Sequence, residues 1–89
     1  MEGATIVVKN LGDENLEKAI YESLMAAITE YAGWIISVTG SQDDDNWVVE
    51  VKCPFRIKPL VTVLTLQDNK TAQRVVQIVI EQIAVAQAA

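Results

Sequence analysis

Residues Ser41–Pro59, SQDDDNWVVEVKCPFRIKP, hold two patterns side by side. Ser41 to Asn46 are polar turn formers bounded on both sides by β-branched runs, and such a cluster predicts a hairpin loop. From Trp47 the pattern changes to strict alternation. Trp47, Val49, Val51, Cys53, Phe55, Ile57 and Pro59 take the odd positions, while Val48, Glu50, Lys52, Pro54, Arg56 and Lys58 take the even ones. A period of two with one apolar side predicts a strand that lays one face on a core. Pro54 has no N–H to give to a ladder, so this strand is expected at a sheet edge, or bent or bulged at the proline.

Working outward, WIISVTG (residues 34–40) reads as the other arm of the hairpin and ATIVVK (residues 4–9) as a further short strand. Between them, ENLEKAIYESLMAAITEYAG carries Leu16, Ile20, Leu24, Ala27, Ile28 and Tyr31 at helical spacing. Asp13 is the expected N-cap, Glu14 and Glu17 occupy the first turn, and Gly33 is expected just past the helix end. LVTVLTL (residues 60–66) is almost continuously apolar, which predicts a central strand. The final twenty or so residues are β-branched for a helix, but no turn signal interrupts them and they are too long for one strand. Asp68 or Asn69 is the expected cap of that helix.

The predicted order is β-α-β-β-β-α, an α+β fold. It makes a two-layer open-faced sandwich, with two helices on one face of a mostly antiparallel four-stranded sheet. The first β-α-β unit suits a right-handed crossover. Residues 1–89 are expected to form a single domain, with residues 87–89 as a frayed tail. The succession of elements is similar to that of the bacterial phosphocarrier protein of the sugar phosphotransferase system. That protein's function rests on a phosphate-accepting histidine, and this chain has no histidine, so the resemblance implies topology and no activity.

The same composition excludes several chemistries. Without histidine, Ser-His-Asp and Cys-His nucleophilic catalysis and most transition-metal sites are removed. Neither a cofactor nor a metal site is expected, and the chain is read as non-enzymatic. A net charge of −5 argues against direct nucleic-acid binding. The longest apolar zone is broken by Gln77, Glu81 and Gln82, which argues against a membrane span. With one cysteine and no signal-peptide pattern, a cytoplasmic setting is expected. Cys53, on the apolar parity of its strand, is expected to be a small buried hydrophobe. Trp34 and Trp47 are expected in the core or as a cross-strand pair. Asp43, Asp44 and Asp45 are consecutive and lack the alternation of a calcium loop, so they read as a turn rather than a cation site.

Three readings of function follow. The apolar fraction of 51% is high for so small a chain, which suggests that apolar surface meets another protein or a second copy. In the last helix, Ala72, Val75, Val76, Val79, Ile83 and Ala86 make one stripe, whereas Ile78 and Val85 fall about 120° or more from its centre. With Thr71 and neighbouring Gln82 they are the expected interface of a homodimer, or of docking on a larger protein. Strand addition along VEVKCPFRI is a further route to such a partner. The second reading is an acidic inhibitor or decoy of a nucleic-acid-binding protein, using Asp43–Asp45 with Glu14, Glu17 and Glu22. In the third, Lys52, Arg56 and Lys58 form a basic stripe for a small anionic ligand.

Overall fold

The structure, a computed structural model, describes residues 4–28, 30–41, 46–55, 58–65 and 70–88. Six elements follow the predicted order: β1 (Thr5–Lys9), α1 (Glu14–Ala27), β2 (Ile35–Gly40), β3 (Trp47–Lys52), β4 (Leu60–Leu64) and α2 (Ala72–Ala88). The sheet is four-stranded and its spatial order is simply β1-β2-β3-β4. β1 and β2 are parallel, joined by α1, while β2–β3 and β3–β4 are antiparallel hairpins. This is the mostly antiparallel α+β sheet that the pattern of elements predicts.

The turn from β1 into α1 is fixed by local chemistry. Asn10 adopts φ 62 and Gly12 φ 88, two left-handed residues that Asn and Gly tolerate better than any others. Asp13 then caps the helix, its carboxylate accepting from the Asn15 N–H at 2.9 Å and the Leu16 N–H at 3.3 Å. Glu17, a turn later, reaches back to accept from the Leu11 N–H at 3.0 Å. Gly40, at the end of β2, passes against this turn so closely that a Cβ built on it would lie 2.0 Å from the Asn10 carbonyl oxygen. Only glycine fits there.

α1 ends earlier than its apolar spacing suggests. Its last residue is Ala27, with Ile28 as C-cap at φ −127, and Gly33 (φ 89) serves instead in the turn before Trp34. Ile28 is nonetheless buried, because the chain leaving the helix still runs across the core. α2 begins at Ala72, where the Thr71 hydroxyl accepts from the Arg74 N–H at 3.2 Å. The cap is therefore Thr71; Asp68 and Asn69, expected in that role, lie outside the described residues. The helix continues through Gln87 and Ala88, into the stretch expected as a frayed tail.

One face of the sheet carries the core. Ile36 and Val38 of β2 and Trp47, Val49 and Val51 of β3 are buried, as are Ile20 and Leu24 of α1 and Val75, Val79 and Ile83 of α2. α1 packs on β1, α2 packs on β3, and the helices pack on each other. Burial is therefore complete at the two inner strands and thins toward both ends. On β1, Ile6 and Val8 are half-buried; on β4, Leu60 and Thr62 are half-buried and only Leu64 is fully covered.

One of the two alternatives for the Trp47 strand, a sheet edge, is overturned, and so is the central placement of β4. β3 is an inner strand, paired on both sides; it stops at Lys52 and the chain turns at Pro54, nearer the expected bend than the expected edge. β4, expected at the centre, is an end strand. A strand that is apolar on both faces normally signals burial on both; here the outward valines stay exposed, so apolarity alone misplaced it.

Candidate interaction surface

β4 forms because Leu60–Leu64, LVTVL, is rich in β-branched residues and follows Pro59, whose ring favours extended backbone on either side. Its inner edge takes up β3 in register, Val49 opposite Thr62 and Val51 opposite Leu60. Among the described residues no further strand pairs with its outer edge. Alternation then divides the side chains. Leu60, Thr62 and Leu64 turn toward the helices, and Val61 and Val63 turn to the open face, where they are 53% and 52% exposed. Among the described residues, β4 thus presents a backbone edge without a strand partner, and incompletely covered apolar side chains on both faces.

The open face extends this surface inward. Val63 lies opposite Val48, and Val61 opposite Glu50, so Val48, Val61 and Val63 make an aliphatic corner at the β4 end. Farther across the sheet the same face is mixed: Ser37 and Thr39 of β2, whose hydroxyls are 3.3 Å apart, and Lys9 of β1 lie among the exposed Ile35 and Val7. β1 is the other end strand, but it ends in Lys9 and lies under α1, so it is the more protected edge.

The residues singled out in the sequence fall as follows. Ile78 is 5% exposed and belongs to the core, whereas Val85 is 53% exposed. The paired seam expected from Ile78 and Val85 is therefore not an exposed one. α2 packs against both β3 and α1, so its buried arc is wider than a single sheet contact requires, and Ile78 falls inside it. Thr71 is exposed but occupied as the α2 cap, and Gln82 is half-buried. Strand addition along VEVKCPFRI is not available at Val49–Lys52, which are paired to β2, and at Val49–Val51 to β4 as well.

Of the basic stripe, Lys52 is exposed at the end of β3 and Lys58 is exposed beyond the following turn, so they do not share one strand. Arg56 lies outside the described residues, as do Asp43, Asp44 and Asp45. Glu14 and Glu22 are exposed, with Glu22 4.0 Å from Lys18, but Glu17 is engaged with the Leu11 N–H. Among the described residues no group of three or more His, Cys, Asp or Glu side chains is placed to hold a metal ion, and no helix is long and apolar enough to cross a membrane.

Cys53 is buried and unpaired, and both tryptophans are buried, as their parity predicts. Phe55 breaks the parity. It is 62% exposed and meets the edge of Trp34, ring centroids 5.7 Å apart, because the chain has already turned at Pro54. Tyr31 packs on Trp34 at the same separation, so these rings brace the turn at one end of the sheet.

The surface that sequence reasoning missed is β4 itself. The signal was present: LVTVL reads the same in both directions and has no ionisable side chain. No protein-family model and no curated protein sequence matches the chain.

Proposed function

We propose that this chain is a small, non-enzymatic protein-interaction module whose docking surface is the outer edge of β4, with Val61, Val63 and Val48 beside it. The observation that carries the reading is the end position of a β-branched strand whose outward valines stand half exposed. An unpaired edge of this kind is a template for another strand, and folded proteins ordinarily blunt such edges with charge, proline or a covering loop. β4 has neither a charge nor a proline within it. The absence of histidine from the whole sequence supports a non-catalytic role. A reducing, cytoplasmic setting belongs to this reading, supported by the single buried cysteine.

The test replaces Val61 and Val63 with lysine, which puts charge beside the edge while leaving the core untouched. Wild type and Val61→Lys/Val63→Lys are compared for self-association and, as immobilised baits, for proteins retained from extract, with thermal melts confirming that both are folded. Loss of association by the variant supports the β4 surface. Unchanged self-association together with an unchanged set of retained proteins contradicts it.

A further inference from the structure

We infer that β4 is built to pair with β4 of a second copy of this chain, antiparallel about a two-fold axis through Thr62. This rests on the reading of β4 as a docking edge and names its occupant. An isologous interface must be self-complementary, each residue i meeting j while j meets i. A two-fold axis imposes that reciprocity on any strand; what LVTVL adds is that the residues brought opposite one another are alike and uncharged. In the register centred on Thr62, Leu60 stands opposite Leu64 of the second copy, Val61 opposite Val63, and Thr62 opposite Thr62. Every apolar side chain meets an apolar one, and the two threonine hydroxyls meet each other, which are the favourable cross-strand pairs.

The geometry of the layers agrees. A two-fold axis perpendicular to the sheet keeps both helical layers on the same side, so the two sheets join into one continuous sheet with the helices still on one face. On the open face, Val61 and Val63 of each copy merge into a single aliphatic patch flanked by Val48. On the helical side, the half-buried Leu60 gains the buried Leu64 of the second copy as its neighbour. Pairing also satisfies outward backbone groups of β4, contributing about four to six ladder hydrogen bonds, depending on which residues point outward.

Charge and area set the strength. No ionisable side chain lies in β4, while each copy carries a net charge of −5, so two copies repel at long range and attract only at the strand. Salt screens the repulsion and leaves the apolar contact, so dimerisation strengthens as ionic strength rises. A strand of five residues is about 17 Å long. An interface of that length lies at or below the low end of the roughly 1,200–2,000 Å² that stable complexes bury, which gives a concentration-dependent dimer rather than a permanent one.

Sedimentation velocity across roughly 1 μM to 1 mM protein, a range that brackets weak dimers, tests this with wild type and two double variants. Val61→Lys/Val63→Lys places like charges opposite each other twice across the axis and is expected to weaken the dimer at least about tenfold. Val61→Lys/Val63→Glu places each new lysine opposite a new glutamate of the second copy, and is expected to recover much of that loss. Recovery is specific to the two-fold register, because a docking edge for a different protein has no reason to prefer it. Equal weakening in both variants overturns the register. A wild-type monomer throughout the range overturns the second copy as occupant, while valine-dependent capture of another protein would leave the β4 docking surface standing. A dimer indifferent to both variants overturns both readings.

Discussion

Replacing Ile78 and Val85 separately by alanine separates a core residue from a surface one on the same helix. Ile78 is 5% exposed, and its truncation removes three carbons from the core. At about 0.8 kcal/mol per buried methylene the transfer loss is roughly 2.4 kcal/mol, and the cavity left behind brings the total to about 3 kcal/mol, within the usual range for such truncations. Val85 is 53% exposed, so its truncation removes little buried area, and alanine's better helix propensity offsets much of that. The expected change is within about 0.5 kcal/mol. The assay is thermal unfolding followed by fluorescence of Trp34 and Trp47, both buried and therefore sensitive to unfolding. At a loss of about 3 kcal/mol, the melting temperature of Ile78→Ala falls by roughly 12–24 °C, and that of Val85→Ala stays near wild type. Measured at two protein concentrations, the Ile78→Ala loss is the same, since it arises within one chain. Equal losses for the two variants, or an Ile78→Ala loss that vanishes on dilution, would refute the placement of Ile78 in the monomer core.

The turn between β1 and α1 supplies two more tests. Gly40→Ala forces a Cβ onto the Asn10 carbonyl and should cost at least about 2 kcal/mol, in the range of overpacked sites. Gly12→Ala meets no neighbour and bears only the strain of its positive φ, about 1 kcal/mol; the reverse ranking in thermal melts would contradict the close approach of β2 to this turn. Asp13→Ala removes the α1 cap and should lower stability by about 1 kcal/mol with no change in self-association. Cys53 should resist alkylation in native buffer and react readily in denaturant, and rapid native labelling would contradict its burial.

The parts of this fold that were legible in the sequence are those where one local rule acts alone. The alternation from Trp47 to Cys53 predicts an apolar face, and its odd positions are buried, because a sheet with helices on one side enforces a period of two. Asp13 is a cap in sequence and in structure for the same electrostatic reason. The misreadings arise where two neighbours compete for one residue. Ile78 lies off the sheet-facing stripe, yet α1 packs along α2 and widens its buried arc. Ile28 keeps helical spacing beyond the true helix end because the core continues past Ala27. Phe55 keeps strand parity beyond a strand that stopped at Lys52. For β4 the difficulty was different: burial and a missing partner leave the same apolar pattern in sequence. Strand order separates them, and strand order depends on the whole chain.

Amide hydrogen exchange resolved by residue reads the outer edge of β4 directly. Exchange at Leu60–Leu64 is compared between dilute and concentrated protein, with the inner-strand amides of Val49 and Val51 as internal references. The outward-pointing amides of β4 are expected to exchange quickly when dilute and to slow progressively as concentration rises, while the references hold steady. Exchange at β4 that is independent of concentration, alongside slowing at amides elsewhere, would contradict pairing at that edge.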